Sequence, residues 1–465
     1  MLDHAGPRGQ GGLRPPAPLP QVRPLGPIAL LKALWRNPLE AWTETHFERP
    51  VVTTNLAIGQ ITVVSEPHAI RRVLLENAAN YRKDGFQRRM MSATLSNGLL
   101  MAENEQWHAQ RRTLAPLFSH RTVLGFEPNM LQAADALVAR WRGNPQDAVV
   151  EVTAEVTRLT LDVLERTIFS EGLGRGSEEV RTAMRSYFDN IGRIEPFDIL
   201  GLPDSIPRLS RWRLRPVLRL FDSAVDAIIE TRRRHIEDDP ASVPRDLLTL
   251  LLEAEDPKTG AGMSEAEIRA NIVTFIAAGH ETTANTIAWS LFLLSQSPEW
   301  CDRVRAEAIG ALDGPVAGLA ERLPTTLAVI EEAIRLYPPL PAISRAAIGP
   351  DELAGHKIKA GSMVVIAPYL LHRHRMLWER PDIFDPNRFL GSARSAIPRY
   401  TYLPFGAGPR ICIGSAFALQ EATVMVATIV KNFDFELAPG RAVWPVLKVT
   451  LRPQGGLFMH LRPRR

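Results

Sequence analysis

One helical pattern, close to thirty residues long, constrains this chain more than any other feature. Ser264 followed by Glu267 makes a capping box. Apolar residues then recur through Ile268, Ile272, Phe275 and Ile276 to about Leu294, and Pro298 closes the run. At the usual rise such a helix reaches about 45 Å, enough to cross a whole domain. Its middle reads Ala277-Ala278-Gly279-His280-Glu281-Thr282-Thr283. Glycine and adjacent threonines are poor helix formers. A weak centre in an otherwise strong helix predicts a functional distortion there.

The rest of the pattern is mostly helical with a minority of strand, which predicts a mainly α fold with small β-sheets (α+β). Short β-branched runs at 61–64 and 363–367 read as strands. The stretch 217–234 reads as a helix with Leu220, Val225, Ile228 and Ile229 on one side. Its basic end, Arg232, Arg233 and Arg234, is expected to be solvated and favoured by the helix dipole. With 465 residues, 45% of them hydrophobic, the chain can bury a large core. Length alone would allow about three domains, but no linker divides the chain after its start. Residues 1–27, rich in proline and glycine, are expected to be extended or disordered. Residues 28–465 are expected to form a single domain.

Several function classes are excluded by composition. Two cysteines, Cys301 and Cys412, make no disulfide framework and fit a reducing cytoplasm. No secretory signal is visible, and the apolar run at 28–35 contains Lys32 and falls well short of the roughly twenty residues a bilayer needs. The expectation is a cytoplasmic monomer without a transmembrane anchor. Net charge is +4, aromatics are 7%, and no basic-aromatic stripe points to nucleic acid. His280-Glu281 would need a second histidine at position 284 to make a zinc helix, and that residue is Ala284. His372 and His374 are spaced like metal ligands but lack a surrounding cluster, so a surface or supporting role is expected. Gly172 and Gly174 lack the third glycine of a dinucleotide fingerprint.

The strongest chemical signal is Phe405-Gly406-Ala407-Gly408-Pro409-Arg410-Ile411-Cys412-Ile413-Gly414, followed by a helical pattern from Ala416. Cys412 therefore stands at a helix entrance, where backbone N–H groups stabilise a thiolate. The small residues let a flat ligand approach the backbone. Taken alone, a free cysteine is better read as an inert, packed side chain. Trp107 and Arg111 stand at i, i+4, so an indole N–H and a guanidinium face the same way and can bind an anionic group. Glu332 and Arg335 stand at i, i+3 and can pair, as many surface pairs do. At the weak helix centre, Glu281 and Thr282 could hold water and relay protons, or the threonine could bond back to its own turn.

Together these segments resemble the cytochrome P450 family. The ligand loop matches at Phe405, Gly406, Gly408, Arg410, Cys412 and Gly414. The same order of motifs appears in Glu332-Ala333-Ile334-Arg335, in Asp385-Pro386-Asn387-Arg388-Phe389, in 278–283, and in Trp107 with Arg111. The resemblance covers about residue 28 to the C-terminus. It implies the family's fold, with haem b (iron protoporphyrin IX) buried between the long central helix and the cysteine loop. It implies that Cys412 is the axial ligand of the haem iron, and a thiolate there favours O–O cleavage. It further implies that Trp107, Arg111, Arg345 and Arg410 meet haem propionates, that Phe405 and Gly406 line the haem, and that Ala278 and Gly279 leave room for dioxygen. Thr282 would shape the oxygen pocket and Glu281 would relay protons. Glu332, Arg335 and Arg388 would form a buried structural triad near the haem.

The implied reaction puts one oxygen atom of O2 into an organic substrate. The chain ends about fifty residues past Cys412 without a flavin or iron–sulfur module, so a separate ferredoxin, flavodoxin or reductase is expected. Arg399, Arg410, Arg112 and Arg121 are expected to help dock it, although Arg112 is otherwise read as a solvated neighbour of Arg111. Two rivals remain: a haem peroxygenase that uses peroxide directly, and a haem-binding sensor or carrier without turnover. The Glu281–Thr282 pair argues against both. Substrate-contacting segments are expected at 81–100 and 190–215, where Phe86, Met90, Leu95 and Phe197 favour a lipophilic substrate such as a fatty acid or terpenoid.

Overall fold

The computed structural model describes residues 12–56, 59–85, 87, 97–145, 147–170 and 209–464. Phe86, Met90, Leu95 and Phe197, together with Gly172 and Gly174, lie outside the described residues. The chain divides into two compact units. The first comprises Met1–Gly85, Ala134–Thr157 and Thr282–Arg465, and the second comprises Phe86–Ala133 and Arg158–Glu281. The division falls inside the long helix, between Glu281 and Thr282.

The first unit carries the main sheet. Its strands are β1 (Val51–Leu56), β2 (Gly59–Val64), β3 (Tyr81–Arg82), β4 (Ile343–Ala347) and β5 (Met363–Ile366). They lie in the order β1-β2-β5-β4-β3. β2 and β5 are the two runs expected from β-branched residues, and they pair in parallel with Ile61 opposite Met363. β4 pairs antiparallel with β5, setting Arg345 opposite Val364. Val64, Ile70, Val73, Leu74, Val364, Ile366, Leu371 and Leu403 pack into one buried cluster beneath this sheet.

Two helices of this unit position the site. α1 (Pro324–Leu336) begins with a proline at its first turn, where the missing N–H costs nothing. α2 (Ser415–Asn432) starts three residues past Cys412 and is buried along most of its length. Residues 12–26 are extended and are held to the same unit. Phe384 donates its N–H to the Leu13 carbonyl, and the Tyr337 hydroxyl donates to the Pro16 carbonyl at 2.8 Å.

The long helix, α3 (Glu265–Ser295), is entered through the expected capping box: Glu267 N–H meets the Ser264 hydroxyl, and the Glu267 carboxylate takes the Ser264 N–H and hydroxyl. The expected distortion at its centre is not a change of helix type, since α-helix is continuous from end to end. Packing within the second unit accounts for Gly279 and His280. A Cβ on Gly279 would stand 3.2 Å from Leu164, and the Thr160 hydroxyl donates to the His280 carbonyl at 2.9 Å. Tertiary contact has overridden local propensity.

The helix expected at 217–234 runs longer, as α4 (Leu209–Asp238), with Val225 and Ile229 buried as its pattern requires. Its basic end is not solvated throughout. Arg232 is only 3% exposed and makes two bonds to Asp246, at 2.6 and 2.9 Å, and one to the Thr249 hydroxyl. A carboxylate outside the helix claims the charge that the helix dipole was expected to leave in water. Among the described residues, no helix is long and apolar enough to cross a membrane.

Candidate functional site

In the first unit, the segment before α2 folds into a closed loop. Cys412 donates its N–H to the Phe405 carbonyl at 3.0 Å, and Ile411 donates to the Gly408 carbonyl at 3.1 Å. Gly406 and Gly408 both sit at φ +72°, the left-handed region that glycine enters without strain. A Cβ on Gly408 would collide with the Leu74 carbonyl oxygen, so backbone packs directly on backbone there. Cys412 comes out of this fixed loop exposed, beside an Ile411 that is 41% exposed. A thiol offered outward next to apolar surface fits the axial ligand of a flat, largely apolar, iron-centred cofactor. The second cysteine differs: Cys301 is half-buried, and burial pushes its thiol pKa up, which suits an inert side chain.

Behind the loop lies a buried charge pair. Neither Glu332 nor Arg335 is exposed at all, and they meet through two hydrogen bonds of 2.7 and 2.8 Å. The remaining donors of Arg335 go to the carbonyls of His372, Pro381 and Ile383. Glu332 also accepts the Asp385 N–H, and Arg388 Nε lies 3.7 Å from its carboxylate. Burial lowers the Arg388 pKa, and Glu332 works against that shift. This is not the surface pair that i, i+3 spacing would also allow. Every strong polar group on Glu332 and Arg335 is satisfied, as a buried pair requires.

His372 and His374 are not at the surface. Both are buried, and among the described residues no group of three or more His, Cys, Asp or Glu could hold a bare metal ion. His374 Nε2 bonds the Arg49 carbonyl, and His372 Nε2 accepts the Leu403 N–H at 2.8 Å. Of the surface or supporting role expected for His372, the supporting one holds, although its partner Leu403 lies 31 residues away in no shared element and is invisible to spacing. Arg345, on β4, donates to the Ser344 carbonyl, and the Ser344 hydroxyl bonds Asp84. Arg345 and Arg410 are partly exposed. Thr282 also belongs to this unit. It is half-buried, and its carbonyl accepts the Thr286 hydroxyl at 3.0 Å.

In the second unit, Trp107 and Arg111 lie on one helix, α5 (Asn104–Leu114), with Trp107 buried and Arg111 half-buried. Their neighbour Arg112 is not simply solvated. It grips Asp256 with two bonds, at 2.9 and 2.6 Å, because the fold brings together residues 144 apart. That grip holds the Asp256 carboxyl down to about 2. Along α3, residues 270–276 are buried, then Ala278 is exposed while Gly279 and Glu281 are half-buried. Small residues open the helix surface at that one turn. Leu164 against Gly279 gives the glycine a packing reason as well.

Comparison with known proteins agrees with these observations. The family model described as Cytochrome P450 matches residues 15–460. The chain is 32% identical over 411 residues to cyclooctat-9-en-7-ol 5-monooxygenase from Streptomyces melanosporofaciens, covering 88% of this chain and 87% of the relative. It is 30% identical over 444 residues to cyclooctatin synthase of the same organism, covering 95% and 94%. Among solved structures, the haem domain of cytochrome P450DA superposes with a TM-score of 0.82 at 25% identity, over 97% of this chain and 98% of that one. The chain belongs to the cytochrome P450 family and is a haem-thiolate monooxygenase.

Proposed function

We propose that the chain, with residues 28–465 acting as one catalytic domain, binds haem b through the thiolate of Cys412 and hydroxylates a lipophilic substrate with electrons from a separate redox protein. The observation that carries the cysteine assignment is the loop geometry: a fixed backbone, two left-handed glycines and an outward thiol. When bound, the haem supplies the iron at which dioxygen is reduced and cleaved. The overall balance is one oxygen atom into the substrate and one into water, with two electrons from the partner and two protons.

The protein's own residues bind, orient and deliver protons. In the first unit, Arg345 and Arg410 are the cationic partners for propionates, and Phe405 and Gly406 line the loop side of the cofactor. In the second unit, Trp107 and Arg111 offer an indole N–H and a guanidinium for the same purpose. The exposed turn at Ala278, with Gly279 beside it, supports a role in admitting dioxygen. Glu281 and Thr282 deliver protons, the carboxylate by exchange with water and the hydroxyl by donation. Glu332, Arg335 and Arg388 fasten the chain near the haem and take no part in the chemistry.

A relative's name specifies oxidation of cyclooctat-9-en-7-ol, which favours a terpenoid-like substrate over a charged one. The redox partner is a ferredoxin, flavodoxin or reductase that docks on exposed basic residues such as Arg121 and Arg399. The protein works as a monomer in the cytoplasm. Substrate-dependent oxygen consumption with a ferredoxin system tests the reading. Turnover with peroxide alone, and none with electrons and O2, would replace it with a peroxygenase.

A further inference from the structure

We infer that His372 is a positioning residue for the cysteine loop, its buried imidazole accepting the Leu403 backbone N–H and so tying the Glu332–Arg335 pair to the segment that presents Cys412. The inference rests on Cys412 being the haem ligand. His372 is wholly buried, and its Nε2 takes the Leu403 N–H at 2.8 Å. Its own carbonyl accepts a bond of 2.7 Å from Arg335, which is locked to Glu332. One residue therefore joins the buried charge pair to the loop through its backbone on one side and its ring on the other.

Leu403 stands two residues before the loop. Its side chain lies in the core cluster beneath the sheet, and its carbonyl accepts the Gly406 N–H. Its N–H depends on His372. The neighbouring Tyr402 ring lies 5.0 Å from the imidazole, and its hydroxyl is tied to the Glu331 carbonyl. A functional ligand holds its geometry only if the residues behind it are themselves fixed.

To accept through Nε2, the imidazole must be neutral with its proton on Nδ1. The surroundings favour the neutral ring. Burial lowers the His372 pKa well below its ordinary range, and the guanidiniums of Arg335 and Arg373 push the same way. Neutral imidazole in a cationic setting remains an acceptor across the physiological range.

The test compares His372→Phe, which keeps a ring but removes the acceptor, with His372→Gln, whose amide oxygen can take the same N–H. The haem-loaded proteins are reduced under carbon monoxide. The readouts are haem content and the rate at which the thiolate band gives way to the band of protein that has lost thiolate ligation. We expect His372→Phe to lose the thiolate band on the order of tenfold faster than the natural protein, as for one buried donor left unpaired. His372→Gln should return most of the way. A His372→Phe rate equal to the natural protein's overturns the inference, and so does a His372→Gln protein that folds but fails equally. If His372→Phe yields no folded protein, His372→Gln decides alone: a retained thiolate band supports the inference and a lost one overturns it. A natural protein with no thiolate band would overturn the Cys412 assignment instead.

Discussion

Glu332 and Arg335 face each other with both side chains fully shielded from water, joined by two hydrogen bonds and held by three backbone carbonyls. Removing one partner strands the other charge where no solvent can reach it, which costs about 3–5 kcal/mol. Glu332→Ala should therefore lower the free energy of unfolding by roughly that amount, read from a denaturant midpoint. A midpoint within error of the natural protein's would mean the pair contributes little.

Cys412→Ser should separate ligation from folding. The loop closes through backbone bonds, Cys412 N–H to the Phe405 carbonyl and Ile411 N–H to the Gly408 carbonyl, so the variant should still fold. The carbon monoxide spectrum of the reduced protein should lose its thiolate band completely. A surviving band would require another sulfur.

Thr282→Ala should uncouple oxygen consumption from product. The carbonyl bond to Thr286 is retained, so the helix keeps its local bonding. The expected outcome is continued oxygen uptake with peroxide in place of product. Unchanged coupling would remove Thr282 from proton delivery.

Gly408 and Gly440 share φ +72°, but nothing lies within 4 Å of a Cβ built on Gly440, whereas Gly408 abuts the Leu74 carbonyl. Gly440→Ala should cost only the backbone strain, about 1 kcal/mol. Gly408→Ala should cost that and an overpacking penalty of about 1–3 kcal/mol more, with loss of bound haem. Equal melting temperatures for the two variants would refute the close contact.

The Arg112–Asp256 pair gives a pH dependence with a definite sign. The folded carboxyl titrates at about 2, below its ordinary 3.8, so its stabilisation is complete above the higher value and fades as pH falls from about 4 toward 2. Denaturant midpoints of the natural protein and Asp256→Asn should differ by a constant amount near neutrality and converge in that acid window. A gap that widens on acidification would reverse the assignment.

Local order was legible and distant pairing was not. Ser264 and Glu267 announced the long helix because a capping box is written in three-residue spacing, and the strands at 61–64 and 363–367 showed as β-branched runs. The cysteine loop was legible because its glycines, arginine and cysteine are contiguous. Arg112 and Arg232 were misjudged as solvated because their partners Asp256 and Asp246 lie in other segments, and the Leu403 partner of His372 was hidden for the same reason. Spacing within one element cannot report them. At the helix centre, Leu164 and Thr160, from another helix, supply part of what propensity withholds.

The bond from the Tyr337 hydroxyl to the Pro16 carbonyl bears on where the chain can be trimmed. Tyr337 is 1% exposed and stacks on Trp289 at 3.9 Å, so its hydroxyl has no water to turn to. A shortened version beginning beyond Pro16 would leave that donor stranded, at a cost of about 1–3 kcal/mol. The proline-rich segment thus serves as a strap against the buried Tyr337, and a purification tag is better placed before Leu13 than in place of it.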